Sequence, residues 1–421
     1  MKILIINYRF HFTGGPERYM FSVISELKNR GHEIIEFSVK NDKNEASKYE
    51  NYFARNIDNQ NEYLFEKFKK TFGFYFDFLS RQYYSLYIKN KVKKIVKDTK
   101  PDICYLLPHS GSLSVSIIDG LKDCNIPIIH RISDYNIICG QAGMYRKRVF
   151  CNDCSKTKLN LLKNKCIKDS YLYSAIKLSS SLLHDYLKIY KKVDHFITTN
   201  NFAKEQFVKF GFEDNKITTI HTFANEVSPI VKSKTNFPLK LIYMGNIDDS
   251  KGIYDLLESV KILSSEFNAE TVLFDVYGGL RDYELKKVND FIKTNKLQSL
   301  ITIHGKIKSE FVSKIYKEAD ITLIPARWVE NLPNVLVESL SYGTPVVVPR
   351  FGSFKSCLDE SVAYFFEEHN LNSLVSTLKY VINNPNTINE KSKKTYNYVD
   401  KNFNKKNHIN ELIQIFNNHL N

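Results

Sequence analysis

Two glutamates eight residues apart are the side chains of this sequence best placed to do chemistry. Between Glu330 and Glu338 lies Pro333, which favours the first turn of a helix, and Gly343 is typical of a helix end. Glu330 then lies in the loop before the helix, and the two carboxylates would be about 12 Å apart if the helical rise of ~1.5 Å per residue held throughout. This spacing is too long for an acid and a base acting on one bond, but it suits hydroxyl groups at two ends of an extended ligand. A sugar and a ribose joined by a diphosphate fit that description.

Two glycine-containing loops are typical of anion sites. Gly14 and Gly15 separate an apolar, β-branched segment from a helical pattern, where free N–H groups and the positive helix end can hold a phosphate. A tight turn that needs positive φ explains the pair equally well. Loop 245–252 again joins strand to helix and carries Lys251 at the helix start. The helix dipole disfavours a cation there by ~0.3–1 kcal/mol unless an anion is shared, so Lys251 indicates phosphate binding, with an exposed loop lysine as the alternative.

Alternating strand and helix patterns must position these residues. In the first half we predict strands over 2–7, 33–39, 103–107, 126–129, 196–199 and 217–223, and in the second half over 239–244, 271–277, 302–304, 321–324 and 345–348. Such alternation is typical of parallel sheets covered by helices, so the fold class is α/β. The predicted domains are 1–225, with a basic cysteine-containing insertion at about 139–192, then a linker over 226–237, a second domain over 238–386 and a helical segment over 387–421 that can cross back to the first.

Composition limits the class of protein. The chain has 421 residues, 43% of them hydrophobic, and no run approaches the ~18 apolar residues of a membrane-spanning helix. The apolar start over 1–8 is too short for a secretory signal, so we expect a cytoplasmic protein. The net charge of +14 favours anionic partners, and residues 141–192 alone carry 12 Lys and Arg against 3 Asp.

Four of the seven cysteines cluster in the basic insertion. Cys139, Cys151, Cys154 and Cys166 form the pattern C-x11-C-x2-C-x11-C. Because cytosolic thiols stay reduced, the pattern indicates a structural zinc site or plain thiols, not disulfides. A closed four-thiol site has no open position, so we assign it no catalysis.

Taken in order, the Gly14-Gly15 loop, the loop 245–252 and the segment from Glu330 to Pro345 resemble family 4 of the retaining glycosyltransferases. The segment resembles the family's E-x7-E element followed by Gly, Thr and Pro, and the resemblance covers nearly the whole chain. It implies the GT-B fold, in which two Rossmann-like α/β/α domains face each other across a cleft.

The resemblance also implies roles in binding a nucleotide-sugar. Glu338 would hydrogen-bond the ribose, Glu330 would face the transferred sugar, Lys251 would neutralise the leaving diphosphate, and Gly14-Gly15 would approach it from the first domain. Backbone N–H groups between the glutamates would meet sugar hydroxyls and diphosphate, namely those of Asn331, Leu332, Asn334 and Val335. No metal is required for that role.

Two positions depart from the family's pattern. Asn246, which we retain among the donor contacts, stands where an Arg usually follows the loop glycine. Ser133 stands where a His usually precedes the Asp, here the predicted catalytic residue Asp134. His109 or His130 could replace that imidazole, with a histidine that has no role as the alternative for each.

These features predict an enzyme that moves a sugar from a UDP- or GDP-sugar to a glycan or lipid-linked glycan in surface polysaccharide biosynthesis. Alternatives are an epimerase or phosphorylase on the same architecture, an inactive transferase-like scaffold, and a basic zinc or nucleic-acid-binding protein. Since no RNA- or DNA-binding module is recognisable, we do not expect a nucleic-acid partner. Aromatic residues interleaved with Lys over 63–87 are typical of a core helix, or of a segment on an anionic membrane, which would place the protein on the inner membrane face.

Overall fold

The computed structural model describes residues 1–57, 72–109, 112–225, 227, 236–279 and 282–420. Two six-stranded parallel sheets, each covered by helices, confirm the predicted α/β class. Parts of two predicted segments lie outside the described residues: most of the linker, and the aromatic and basic residues from Tyr63 to Lys70.

The first sheet is built by the first half of the chain. Its strands are β1 (Lys2–Ile6), β2 (Glu33–Phe37), β3 (Ile103–Leu106), β4 (Ile128–Arg131), β7 (His195–Thr198) and β8 (Ile217–Thr219), and β5 (Tyr145–Arg146) and β6 (Val149–Phe150) form a separate hairpin. Its helices are α1 (Gly15–Asn29), α2 (Phe72–Tyr83), α3 (Leu86–Thr99), α4 (Ser116–Lys122), α5 (Asn160–Lys163), α6 (Tyr171–Tyr186) and α7 (Asn201–Lys209). The strand order is β2-β1-β3-β4-β7-β8.

The second half repeats the design. Its strands are β9 (Leu239–Met244), β10 (Val272–Tyr277), β11 (Ile301–Gly305), β12 (Ile321–Leu323), β13 (Val346–Pro349) and β14 (Ala363–Phe366), in the order β11-β10-β9-β12-β13-β14. Its helices are α8 (Ile253–Leu263), α9 (Asp282–Thr294), α10 (Ser309–Glu318), α11 (Asn334–Ser341), α12 (Gly352–Cys357), α13 (Leu371–Asn383), α14 (Pro385–Asn402) and α15 (Lys405–Asn418).

Both sheets have near-continuous apolar strands. Residues Ile3–Ile6 of β1 and Val346–Val348 of β13 are at most 2% exposed, as expected where helices cover both faces of a parallel sheet. In each parallel sheet the direction in which successive strands are added reverses beside the first strand, between β1 and β3 and between β9 and β12. Ligands of open α/β sheets bind at such switch points, beyond the carboxyl ends of the strands. The loops that carry Gly15, Lys251 and Glu330 follow β1, β9 and β12, so the topology places all three at switch points.

The last helix returns to the first domain. Ile409, Leu412 and Phe416 of α15 lie in one core with Ile3 and Tyr105 of the first sheet. In the part of the chain that is described, no helix is long and apolar enough to cross a membrane.

Candidate active site

The E-x7-E segment forms a loop and a helix, as predicted. Pro333 caps α11, Glu338 is its fifth residue, and Gly343, at φ 80°, follows its end. Leu332, just before the cap, has φ 138°, a strained value for a residue with a side chain. Such strain persists only where surrounding contacts impose it, and it is common at binding sites.

Glu330 and Lys251 are in direct contact. The Lys251 Nζ lies 2.6 Å from Oε1 of Glu330 and 4.4 Å from the centre of the Trp328 ring. Glu330 is 7% exposed, whereas 25% of the Lys251 side chain is exposed. The sequence predicted separate roles for the two residues, on sugar and on diphosphate. Here the ammonium is paired with the carboxylate, so the two residues form one unit of the site.

The loop after β9 presents Lys251 at this point. Asp248 Oδ1 accepts the N–H of Lys251 at 3.2 Å, and Gly252 follows with φ 80°. A Cβ at Gly252 would lie 1.8 Å from the carbonyl oxygen of Pro325, so only glycine lets this loop meet the end of β12. Asn246 is exposed on the same loop, and its carbonyl oxygen accepts the hydroxyl of Tyr243 at 2.6 Å.

Glu338 faces the other domain. Its Oε1 lies 3.3 Å from Nη1 of Arg18 on α1, and its Oε2 accepts the hydroxyl of Tyr316 at 3.4 Å. Burial raises the pKa of the Glu338 carboxyl, more than Arg18 and Tyr316 lower it. The sequence prediction missed Arg18; the available signal was a cation one helical turn after Gly15, on the helix that starts at the predicted phosphate loop.

A cavity of about 380 Å³ opens between the domains around Glu338. Arg18 lies on one wall and Asn334, Glu338 and Tyr342 on the other, with Thr222 at the connection between the domains. This volume is within the range of about 300–1,000 Å³ typical of small-molecule sites. The cavity can therefore hold a small ligand, or part of a larger one, beside Glu338 and Arg18.

The Gly14-Gly15 loop touches the start of α11. A Cβ on Gly15 would lie 2.4 Å from Nδ2 of Asn334, whereas a Cβ on Gly14 would meet nothing nearer than 3.8 Å. Neither glycine has positive φ, so the tight-turn alternative is wrong and close approach is the reason for Gly15. Asn334 and Val335 are the first residues of α11, and their N–H groups have no acceptor within the helix.

Asn331 joins the two domains. Its Nδ2 donates to the carbonyl oxygen of Ile132 at 3.0 Å, and its Oδ1 accepts Nδ2 of Asn200 at 3.1 Å. The Asn200 amide also donates to the carbonyl oxygen of Asn331, at 2.5 Å, and the N–H of Val329 donates to the carbonyl oxygen of Gly143 at 3.3 Å. These bonds hold the Glu330 loop against the first domain.

Asp134 lies in a separate small hollow with Ser133, His109 and His130. The Asp134 Oδ1 accepts the N–H of Asn136 at 2.8 Å, and Asp134 is exposed to solvent. Both histidines are buried, with ring centres 5.0 Å apart, and burial lowers the pKa of His109 to about 4. Burial lowers the pKa of His130 as well, so both imidazoles are neutral at pH 7. No hydrogen bond among the described residues joins Asp134 to Glu330 or Lys251.

The four clustered cysteines line one small cavity with Arg146 and Asp153. All are free thiols, and burial first, then the neighbouring thiols, raise the pKa of Cys154 to about 12 and of Cys166 to about 11. The donor set suits tetrahedral zinc, but the described residues contain no group of three or more ligating side chains arranged to hold a metal.

The structural zinc therefore stays a prediction, and metal analysis of protein purified without added zinc is its test. One zinc per chain, lost in Cys151→Ser together with thermal stability, would confirm the site. Zinc-free protein that is equally stable with Cys151→Ser would leave plain thiols.

Comparisons with known proteins give matches over most of the chain. Residues 13–226 match the family model for Glycosyltransferase Family 4, and residues 228–402 match that for Glycosyl transferases group 1. An uncharacterized glycosyltransferase of Methanocaldococcus jannaschii is 25% identical over 312 residues, 71% of this chain and 66% of the relative. A capsular polysaccharide biosynthesis glycosyltransferase of Staphylococcus aureus is 24% identical over 242 residues, 53% of this chain and 59% of the relative. The chain thus spans two thirds or less of these relatives.

A solved Anabaena protein has the same fold. In its complex with UDP-glucose it is 12% identical to this chain, with a TM-score of 0.64, and the alignment covers 99% of this chain and 100% of that one. The predicted GT-B fold is thereby confirmed.

Proposed function

Since the chain belongs to glycosyltransferase family 4, we propose that it transfers a sugar from a UDP- or GDP-sugar to a glycan or lipid-linked glycan, with retention of configuration. One observation carries the proposal. A single loop and helix bring Glu330 against Lys251 at one end and Glu338 against Arg18 at the other, along the interdomain cleft. That arrangement matches a ligand with a sugar at one end, a ribose at the other and a diphosphate between them.

In the proposed complex the ribose hydroxyls donate to Glu338, and the diphosphate lies between Lys251 and the first turn of α11. The N–H groups of Asn334 and Val335 and the positive end of the helix favour an anion there. Asn331 and Leu332 supply neighbouring backbone N–H groups. Because Gly15 has no side chain, phosphate oxygens have room beside its backbone.

Bond cleavage leaves negative charge on the diphosphate. Fixed N–H donors and the Lys251 ammonium stabilise that charge more in the transition state than in the ground state, which is what accelerates the reaction. Glu330, released from Lys251 by the incoming diphosphate, accepts hydroxyl groups of the transferred sugar. Asp134 is proposed to take part from the first-domain side of the cleft, and exposed Asn246 to contact the donor from its loop.

Release of nucleoside diphosphate tests the proposal. Purified protein is incubated with UDP-glucose, UDP-galactose, UDP-N-acetylglucosamine or GDP-mannose and glycolipid extract. The expected result is release from one of these donors. The anomeric proton resonance of the product should show that the transferred sugar keeps the anomeric configuration it had in the donor. Release from none of the four, in folded protein that also binds no nucleotide, would favour the scaffold alternative.

Gly15→Ala is expected to weaken UDP or GDP binding roughly ten-fold, because the new methyl group must displace the Asn334 amide at the phosphate position. Gly14→Ala is the matched control, since its methyl group has space and the backbone at φ −163° is extended. Calorimetric titration of both variants measures the difference. Equal affinities would show that the close contact at Gly15 is irrelevant to the donor.

Surface polysaccharide biosynthesis on the inner membrane face is proposed as the setting. The capsular relative is named for such a role, and described helices expose large apolar side chains, including Phe76 on α2, which is 69% exposed, and Tyr186 at the end of α6, which is 83% exposed. Apolar side chains beside a basic surface favour anionic lipid. Co-sedimentation with phosphatidylglycerol vesicles and not with phosphatidylcholine vesicles is the expected result. No binding to either would contradict this setting.

A further inference from the structure

A second cavity, of about 520 Å³, lies within the first domain. It is bounded by α2, α6 and β7, and its size is again in the range of about 300–1,000 Å³ typical of small-molecule sites. Leu113, Val115, Phe196 and Phe212 give it an apolar wall. None of these residues lines the interdomain cavity, so the two spaces are distinct.

Six cationic side chains also line the cavity. Two of them are lysines paired with the carboxylates that line the cavity: Lys158 lies 2.5 Å from Asp185, and Lys216 lies 2.9 Å from Glu213. Four further cations also line it, namely Arg81, Lys177, Lys188 and Lys191. Among the described residues, no carboxylate is within ion-pair distance of these four. The lining therefore carries an excess of positive charge beside an apolar surface, which favours an amphiphilic anion.

The cavity borders the proposed transfer site. Lys177 Nζ donates to Oδ1 of Asn136 at 2.9 Å, and the Asn136 N–H donates to Oδ1 of Asp134 at 2.8 Å. Ile137 lines both this cavity and the hollow of Asp134. A ligand held by Lys177 would thus lie two hydrogen bonds from the Asp134 carboxylate.

We propose that this cavity binds an anionic group of the acceptor, a phosphate or carboxylate joined to an apolar or saccharide chain. Lys177 and Lys191 supply the charge, and the apolar wall receives the attached chain. The inference rests on the proposed function, since it names the class of molecule that accepts the sugar. The anion comes either from a lipid phosphate or from an acidic sugar, and the test separates these sources.

Calorimetric titration with four probes tests the proposal: octyl phosphate, inorganic phosphate, glucuronate and uncharged octyl glucoside. Lys177→Gln and Lys191→Gln are each expected to weaken anion binding about ten-fold, because each removes one charged hydrogen-bond donor. Lys163→Gln is the matched control, since Lys163 is an exposed lysine of the same insertion that does not line the cavity. Lys191 is exposed, so its variant is expected to fold even if Lys177→Gln does not.

Octyl phosphate binding more tightly than inorganic phosphate would identify a lipid phosphate, and selective binding of glucuronate an acidic sugar. Octyl glucoside binding as well as octyl phosphate, or equal anion binding by Lys191→Gln and Lys163→Gln, would overturn the proposal. UDP and GDP titrations of the same samples keep the two claims apart. If wild-type protein binds a nucleotide but none of the anionic probes, the proposal for this cavity is wrong and the proposed function stands. If wild-type protein binds neither UDP nor GDP, the proposed function itself is wrong.

Discussion

Lys251→Ala is expected to lower kcat/KM for sugar transfer by roughly 10²–10³-fold, the usual effect of removing one fixed donor from a developing negative charge. The Lys251 ammonium is already held at the cleft by Glu330, at 2.6 Å, and is a quarter exposed, so an incoming diphosphate can reach it. Initial rates of nucleoside diphosphate release measure the effect. Lys261→Ala, on the exposed side of α8, is the matched control.

A double variant separates two roles of Lys251. Lys251→Ala alone leaves the carboxylate of Glu330 buried without its partner, which destabilises the fold as well as the transition state. Lys251→Ala combined with Glu330→Gln removes the unpaired charge and is expected to recover thermal stability without recovering transfer. Recovery of transfer in the double variant would show that Lys251 only neutralises Glu330.

Glu338→Gln is expected to weaken nucleotide binding about 10- to 100-fold, because hydrogen bonds from two ribose hydroxyls to a carboxylate become weaker bonds to an amide. Transfer at saturating donor should change much less. Calorimetry with the bare nucleotide measures the loss, and Glu318→Gln, an exposed position on α10, is the control. Unchanged affinity would remove Glu338 from the ribose site.

The pH dependence of binding gives Glu338 a second signature. Its pKa is raised above the ordinary 4.5, and only the ionised carboxylate accepts from both hydroxyls. Wild-type affinity should therefore fall as the pH drops through this raised pKa, and the Gln variant should lack that step. Repeating both titrations with Arg18→Ala shows whether Glu338 acts on the ribose or only positions Arg18. A loss from Glu338→Gln that disappears without Arg18 would indicate positioning.

Local patterns predicted much of this molecule. Strand β9 has the predicted bounds, and the helix after Pro333 begins and ends near the predicted residues, because Pro and Gly act on the backbone locally. The hairpin β5–β6 was missed because its turn residues, Lys147 and Arg148, have φ of 50° and 65°, where Gly or Asn is the usual signal. Strand β14 was missed because an apolar run of four residues is too short to predict a strand from its pattern. It forms the edge strand of the second sheet by pairing with β13.

The contacts within the site depend on tertiary structure. Lys251 and Glu330 are 79 residues apart in sequence. Their loops follow β9 and β12, and the two loops meet only because these strands are neighbours in the sheet. Likewise, the contact of Arg18 with Glu338 exists only because the domains face each other across the cleft. The residue types of the site could be read from sequence, whereas these pairings required the fold.

Calorimetric titration of the purified protein with UDP, GDP, ADP and their common sugar conjugates tests the central claim most directly. The account predicts selective binding of one nucleotide. Glu338→Gln is expected to weaken this binding through the ribose, and Lys251→Ala through the diphosphate group. Absence of binding to every nucleotide and conjugate, in protein shown to be folded, would contradict it and make the transferase-like scaffold the better description.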